Sequence, residues 1–277
     1  MLINKMECWN KAFLFIYFFK IDEEDIMGEQ IAKAQVIIED ICGNPEVGLI
    51  ILNPNIEYSQ LSLDYLKIIM LHQFNHLIAF NEKVLENKYM NILTEIETIP
   101  NHYYLKSERV MKFAKLYFGC DSIENGIEMI KDGDNNFHWS ARYLLGEYMI
   151  ELTYPEEQVI SNFTLSLFDD LGYLQVKNMY TGGLMRFGKN KGCDFLNKKC
   201  IWDKDSNNKE IKFENEFYYP VDTLKIEKSC TSGRLSKTIY KLTFYDEDIP
   251  LLYQYFSDPK LGGLPLANYC PVSISKP

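Results

Sequence analysis

Short apolar runs and one long amphipathic segment organise the first 80 residues of the chain. An aromatic run covers residues 12–20, and a second apolar run, Val47–Leu52, ends at Asn53 and Pro54. Runs of this length that are rich in β-branched or aromatic residues favour buried strands. Between them, residues 22–40 carry a rough stripe of isoleucines with acidic residues at its start, which predicts a helix.

The most clearly amphipathic segment extends from residue 62 to residue 80 and predicts a second helix. Ser62 is a favourable N-cap, and Asp64 lies where a carboxylate stabilises the first turn. His72 and His76 border the apolar side of this helix, so a site built on them would lie beside the core. That apolar side consists of Leu63, Leu66, Met70, Phe74 and Leu77.

The pattern after this segment is less regular. Residues 107–118 predict a helix, and the polar run Asp132–Asn136 predicts a turn. Residues 155–171 predict another helix, with proline in its first turn and Gly172 at its end. The rest of the chain predicts short strands, such as one over residues 238–244.

Composition and charge exclude several classes of partner. The chain has 277 residues and a net charge of −10, which argues against a nucleic-acid surface and, less strongly, against anionic membranes. No apolar run approaches the roughly 20 residues that a transmembrane helix needs. The aromatic run at residues 12–20 is also a poor signal peptide, because it is short and lacks a small-residue cleavage site.

Two histidines in the predicted second helix indicate a metal site. His72 and His76 are four residues apart, so a helix places both side chains on one face, one turn apart. That spacing suits two imidazole nitrogens bound to one Zn²⁺. The zinc-peptidase signature H-E-x-x-H carries its general base at the position that Gln73 occupies here. The segment therefore predicts a metal site that lacks the usual base.

The third ligand is not settled by this segment. A catalytic zinc needs three protein ligands, and the common metzincin pattern places the third one six residues after the second histidine. Glu82 occupies that position, and Ala79 occupies the position of the glycine at which that pattern turns the chain back. A carboxylate can bind zinc, so Glu82 is a candidate, although Ala79 makes the turn harder. Otherwise the third ligand is His102, which we expect in a surface loop, or His138.

Several motifs resemble the leishmanolysin family, metzincins in which a long insertion separates the second and third histidines. His138 and Trp139, followed by Met149, are similar to the third ligand and the Met-turn of that family. The insertion between His76 and His138 is 61 residues long, the size that the family has. Similar segments, in chain order, are Phe118–Cys120 with Gly126–Glu128, residues 164–173, Gly192–Phe195 with Cys200, and Asn268–Pro271.

The resemblance implies a zinc site and a fold. His72, His76 and His138 would bind Zn²⁺, and Met149 would form the Met-turn beneath the metal. The fold would be α+β, with a zincin-like or metzincin-like twisted sheet packed on the metal-bearing helix. We expect this catalytic subdomain at residues 1–152, with the insertion at 77–137, and an irregular C-terminal subdomain at 153–277.

The resemblance also implies two disulfides, Cys120–Cys193 and Cys200–Cys270. Such bonds favour a secretory or cell-surface location, whereas the N-terminal residues contain no convincing signal peptide. The N-terminal prosegment of the family, with its zinc-masking cysteine, has no counterpart in this sequence.

Gln73 decides between two functions. In the family mechanism, zinc activates a water for endopeptide hydrolysis and the glutamate takes its proton; an amide cannot. Because losing a general base costs on the order of 10²–10⁴ in rate, we expect a pseudoprotease that is inactive or strongly impaired towards protein and peptide substrates. The alternative is a non-catalytic structural or protein-binding subunit that retains the fold. Gln73 is either natural or a Glu→Gln change introduced to inactivate an enzyme. Ala79 also departs from the family pattern, and replacing the glycine there would not be a way to inactivate an enzyme. Ala79 therefore favours natural divergence.

Overall fold

The computed structural model describes residues 15–20, 30–40, 43–86, 91–151, 158–172, 174–179, 183–200, 229–230, 237–240 and 242–275. In this part the chain has a mixed α+β fold with six α-helices and several small sheets. The helices are α1 Leu63–Ile78, α2 Glu82–Leu85, α3 Glu108–Phe118, α4 Ala141–Leu144, α5 Asn162–Leu171 and α6 Gly192–Asn197. The strands are β1 Phe15–Lys20, β2 Ala32–Glu39, β3 Pro45–Leu52, β4 Leu93–Glu95, β5 His102–Leu105, β6 Ile127–Lys131, β7 Phe137–Trp139, β8 Ser229–Cys230, β9 Lys237–Tyr240, β10 Thr243–Phe244, β11 Leu261–Gly262 and β12 Ser273–Ser275.

The N-terminal sheet has the strand order β1-β3-β2. Strand β1 pairs with β3 in parallel, and β2 pairs with β3 antiparallel. The strands predicted from the two apolar runs are confirmed, since β1 lies within the first run and β3 covers the second. The central position of β3 agrees with its almost continuous apolar sequence.

The helix predicted over residues 22–40 is wrong where the structure describes it, because Ala32–Glu39 forms strand β2. Residues 22–29 lie outside the described part of the chain. Ala32, Ala34 and Val36 are buried at every second position, which is the period of a strand with one face against a core. The isoleucine stripe misled the prediction because short apolar runs fit both helical and strand periods.

The predicted second helix is confirmed as α1, and it packs closely on β3. The Ser62 hydroxyl accepts a hydrogen bond from the Tyr65 backbone N–H at 3.2 Å, which caps the first turn. A Cβ atom on Gly48 would lie 2.7 Å from a Leu77 methyl carbon, so any larger residue at position 48 would force the Leu77 side chain to shift. Burying a leucine such as Leu77 contributes about 1.5–3 kcal/mol. The buried cluster at this contact is Ala32, Ala34, Val36, Ile50, Ile69 and Leu77.

A second sheet has the strand order β4-β5-β6-β7, and its strand β7 contains the candidate ligand His138. The predicted polar turn at Asp132–Asn136 connects β6 to β7. Within it the Asp132 N–H donates to the Asn136 carbonyl at 2.8 Å, which closes the hairpin. The helix predicted at residues 107–118 is confirmed as α3.

The helix predicted over residues 155–171 begins later than expected, at Asn162. Residues 158–161 are not helical, because Val159 forms a bridge with Glu147 and Ser161 hydrogen-bonds the Glu147 carboxylate. Residues 152–157 lie outside the described part. The predicted helix end is confirmed by Gly172, whose φ of 81° is the left-handed conformation that glycine favours.

The chain divides into two compact units, each assembled from several segments. The first contains residues 1–110, 125–138 and 164–179; the second contains residues 111–124, 139–163 and 180–277. The expected boundary near residue 152 stays a prediction. An aromatic cluster in the second unit includes Phe118, Phe163, Phe187 and Phe195. Among the described residues, no helix combines the length and the apolar character required to cross a membrane.

Candidate metal centre

Three of the histidines come together within the first unit. Helix α1 carries His72 and His76, and strand β7 carries His138. The Nε2 atom of His72 lies 2.9 Å from that of His76 and 3.3 Å from that of His138. All three ligand atoms lie within 4.8 Å of one another, and His76 and His138 are buried while His72 is half-buried. The structure thus assembles the three residues that the resemblance implied as ligands.

The arrangement fits a transition-metal ion. With Zn–N distances of about 2.0–2.1 Å and tetrahedral angles, two nitrogen ligands of one zinc lie about 3.3 Å apart. The observed separations of 2.9 Å and 3.3 Å are close to that value. Imidazole nitrogens suit zinc, copper, iron or nickel, whereas calcium and magnesium prefer oxygen ligands. The donor set therefore fits the zinc that the resemblance implied.

The tautomer of His76 is fixed by a backbone carbonyl. Its Nδ1 atom lies 2.9 Å from the carbonyl oxygen of Phe80, which can only accept, so Nδ1 carries the proton. The Nε2 lone pair is then left free to bind a metal. The Phe80 oxygen also accepts the Phe137 N–H at 3.0 Å, which ties the end of α1 to β7.

The electrostatics keep the buried histidines neutral. Burial lowers the pKa of His76 well below its usual range, and the nearby His72 lowers it further. Burial likewise lowers the pKa of His138 well below the usual value, with His76 and His72 adding to the effect. Neutral imidazole is the form that binds metals, so both side chains are ready for an ion at neutral pH.

The chain leaves α1 without needing a glycine. Ala79 has φ −148° and ψ −47°, which is outside the left-handed region. The Asn75 carbonyl accepts from the N–H groups of both Ala79 and Phe80 at 2.9 Å, which tightens the helix end. The Asn81 side chain then donates to the His76 carbonyl at 2.6 Å. The chain therefore ends α1 by capping, and it does not turn back to bring Glu82 to the histidines.

The other two candidate ligands lie elsewhere. The Glu82 carboxylate forms an ion pair with Lys131 at 2.7 Å and is not part of the histidine group. His102 lies in β5, half-buried, with its Nδ1 atom 3.0 Å from the Glu128 carboxylate. The expectation that His102 belongs to a surface loop is wrong, since its neighbours pair with β6.

Gln73 is buried beside His72 on α1. Its exposed fraction is 9%, and its side-chain oxygen has no hydrogen-bond partner in the described part of the chain. Leaving a buried amide oxygen unpaired costs about 1–3 kcal/mol. The oxygen is therefore available to a small polar ligand.

Met149 lies in a turn held by backbone and carboxylate contacts. Its carbonyl accepts the Trp139 N–H at 2.9 Å, and its own N–H donates to the Glu147 carboxylate. Glu147 is fully buried and also accepts from the Ser161 hydroxyl at 3.0 Å. These contacts fix the backbone at Met149; its role as a Met-turn stays a prediction.

Asp132 is a residue of this region that sequence reasoning missed. One of its carboxylate oxygens, Oδ2, lies 3.9 Å from Nδ1 of His138, and its side chain is 11% exposed. Burial raises the pKa of Asp132 to about 6. The Asp-Gly-Asp-Asn-Asn run in the sequence predicts only a turn. Its closeness in sequence to His138 was the signal that could have found the contact.

Both disulfides implied by the resemblance are present in the second unit. Cys120 is bonded to Cys193 and Cys200 to Cys270, with Cα–Cα distances of 4.9 Å and 5.9 Å. Each bond connects positions about 70 residues apart in the chain. Cys8 and Cys42 lie outside the described residues.

The sequence of this chain is similar to those of several known proteins. The sequence model of the leishmanolysin family matches residues 15–276. The Crithidia fasciculata leishmanolysin homolog is 27% identical over 218 residues, 74% of this chain and 31% of the homolog. Leishmania donovani leishmanolysin is 27% identical over 243 residues, 84% of this chain and 38% of that protein. A leishmanolysin-like peptidase of Caenorhabditis briggsae is 30% identical over 184 residues, 59% of this chain and 27% of that protein. The chain thus spans well under half the length of these relatives.

Proposed function

Because this chain belongs to the leishmanolysin family of metallopeptidases, we propose that it is a zinc-binding homologue whose peptide hydrolysis is abolished or strongly impaired. One observation carries the proposal. Three histidines converge on a metal-sized site, and the helix that supplies two of them carries Gln73 where a base is required.

The proposed ligands are His72, His76 and His138, acting through Nε2. When bound, zinc supplies a Lewis acid that polarises a carbonyl and activates a water. The protein orients this site through the Phe80 carbonyl, which holds the His76 ring with its Nε2 lone pair free. The neutral state of the buried histidines removes the need to displace protons before the metal binds.

Gln73 supports the proposed loss of activity. Its amide can hold a water by hydrogen bonding through the unpaired oxygen, but it cannot take a proton from that water at neutral pH. The cost of the missing general base is on the order of 10²–10⁴ in rate. Zinc binding is retained in this proposal, because the amide is not one of the ligands.

The finer fold and the partners belong to the same proposal. The proposed arrangement is a zincin-like twisted sheet on α1, with Met149 as the Met-turn residue, supported by the burial and backbone contacts of that residue. The proposed substrates are proteins or peptides. Two disulfides support a secretory or cell-surface location, because such bonds persist in oxidising compartments.

A second candidate is a non-catalytic structural or protein-binding subunit that retains the protease fold. Gln73 is the observation that favours it, since a subunit selected for binding has no use for a base. Both candidates predict bound zinc. They differ in whether the rest of the site can hydrolyse a peptide once a general base is restored at position 73.

One experiment separates the two candidates. Zinc content and peptide cleavage are measured for the chain and for Gln73→Glu, with Gln73→Ala as the matched control. Cleavage that rises by about 10²–10⁴ only in Gln73→Glu supports a disabled enzyme. A zinc-loaded Gln73→Glu protein that cleaves nothing favours the binding subunit. Absence of zinc from the unchanged chain overturns the metal site itself.

A further inference from the structure

We propose that Asp132 positions His138 for metal binding, by accepting a hydrogen bond from Nδ1 of the imidazole through its oxygen Oδ2. Asp132 would act through His138 and would not touch the metal, so it is a positioning residue. This inference rests on the proposed zinc site. It adds Asp132 as a residue that contacts Nδ1 of His138, the ring nitrogen that would not bind the metal.

The Nδ1 atom of His138 needs a hydrogen-bond acceptor. That atom is buried and has no hydrogen-bond partner within the described part of the chain. If Nε2 binds a metal, the single proton of the neutral ring must sit on Nδ1. A buried N–H without an acceptor costs about 1–3 kcal/mol. The nearby Oδ2 of Asp132, 3.9 Å away, can remove that cost by moving closer by about 1 Å.

The other buried histidine, His76, already has an acceptor at its Nδ1 atom. His76 donates from Nδ1 to the Phe80 carbonyl at 2.9 Å. Metal-binding histidines usually donate their second ring N–H to a carboxylate, a carbonyl or a water. Asp132 offers His138 the carboxylate version of the contact that Phe80 provides to His76. The two buried ligands are thereby supported in equivalent ways.

The turn holds the Asp132 carboxylate in one orientation. Its other oxygen, Oδ1, accepts the Asp134 N–H at 2.9 Å and the Asn136 N–H at 2.8 Å. Oδ1 is therefore committed to the turn, while Oδ2 is the oxygen on the side of His138. One side chain thus performs two separable tasks, and each task uses a different oxygen.

That separation gives a sharp test. Asp132→Asn keeps an oxygen for the turn and places an amide NH₂ group, which cannot accept a hydrogen bond, towards His138. Asp134→Asn is the matched control, because it changes the same charge in the same turn, on a side chain that pairs with Lys33. Zinc affinity is measured by competition with a chelator, and thermal unfolding of the metal-free proteins is measured alongside.

The expected result is zinc binding weakened by roughly 10-fold to 100-fold in Asp132→Asn. We expect the control to bind like the unchanged protein, and the metal-free Asp132→Asn protein to unfold at a temperature no lower than that of the unchanged protein. Wild-type affinity in Asp132→Asn overturns the inference and leaves the metal site standing. Failure of the unchanged chain to bind zinc overturns both, so the two failures are distinguishable.

A second measurement does not depend on the variant folding. In a crystal structure of the zinc-loaded unchanged chain, we expect the distance between Nδ1 of His138 and Oδ2 of Asp132 to close to about 2.8 Å. A distance above about 3.5 Å, or another acceptor at Nδ1, overturns the inference.

Discussion

The side-chain nitrogen of Asn81 lies 2.6 Å from the carbonyl oxygen of His76, so the N-cap residue of α2 also closes the end of α1. The side-chain oxygen of Asn81 meanwhile accepts the Val84 N–H at 3.0 Å. The short connection between α1 and α2 is thus held by one amide group.

Replacing that amide is expected to loosen the end of α1. Asn81→Ala removes an N-cap and leaves the buried His76 carbonyl without this donor, which costs about 1–2 kcal/mol. The free energy of unfolding, measured by urea titration, is expected to fall by that amount. Asn125→Ala, on an exposed asparagine, is the control and is expected to change it by less than about 0.5 kcal/mol. Equal stability of the two variants would contradict the proposed double role of Asn81.

The four histidines offer a direct test of the ligand set. His138→Ala is expected to weaken zinc binding beyond the roughly 100-fold that loss of an outer-shell contact produces. His102→Gln is the matched control, because its amide can keep a hydrogen bond to Glu128 and because His102 lies outside the histidine group. Zinc content after dialysis and competition with a chelator give the two affinities. A loss of zinc in both variants would show that the effect comes from the fold and not from the ligand.

Lys131 is expected to give the fold a measurable dependence on alkaline pH. Burial alone would lower the pKa of Lys131, but hydrogen bonds to Glu82 and Glu86 outweigh it and leave the pKa raised above its ordinary 10.5. Because the pKa of Lys131 is higher in the folded state than in the unfolded state, its contacts stabilise the fold fully at any pH below the unfolded-state pKa. Their contribution is lost as the pH rises through the folded-state pKa.

The measurement compares the unchanged chain with Lys131→Met. Their difference in unfolding free energy is expected to be largest near pH 8 and to shrink as the pH rises beyond about 10.5. Lys33→Met is the control, since the partner of Lys33 is the single carboxylate of Asp134. A difference between the unchanged chain and Lys131→Met that stays constant up to about pH 11 would show that the lysine acts by packing alone.

The Cys200–Cys270 disulfide is expected to carry a large part of the stability of the second unit. It links positions separated by 70 residues, both buried. Loop-closure entropy for a loop of that length corresponds to about 4 kcal/mol. The double change Cys200→Ser and Cys270→Ser is expected to lower the unfolding free energy by about that amount in denaturant titrations. An effect below about 1 kcal/mol would mean that the reduced chain keeps these segments together by other contacts.

The sequence predicted the site well where the signal was local. The N-cap, the apolar stripe and the histidine spacing all lie within α1, so residues 62–80 specified both the helix and two of the candidate ligands. The third histidine is separated from the second by 61 residues, and no local periodicity spans that distance. Only the resemblance to a family with an insertion of this size selected His138 over Glu82 and His102.

The sequence prediction was wrong or incomplete at positions whose structure depends on contacts with residues that are distant in the sequence or brought together by a turn. Residues 32–39 carry apolar side chains at positions that fit a helix or a strand, and pairing with β3 made them a strand. Residues 158–161 fit a helix, but the buried Glu147 carboxylate binds Ser161 and holds the chain away from that conformation. Asp132 was missed for the same reason, because its contact with His138 arises from the hairpin that brings the two together.

The Phe80 carbonyl links two parts of the candidate metal centre through one atom. This one oxygen accepts both the ring proton of His76 and the N–H of Phe137. When β7 opens locally at Phe137, the contact that selects the tautomer of His76 loses its fixed geometry as well. The tautomer of His76 that can bind a metal and the pairing of β7, the strand that carries His138, therefore depend on the same carbonyl. The two are expected to open together as one cooperative unit.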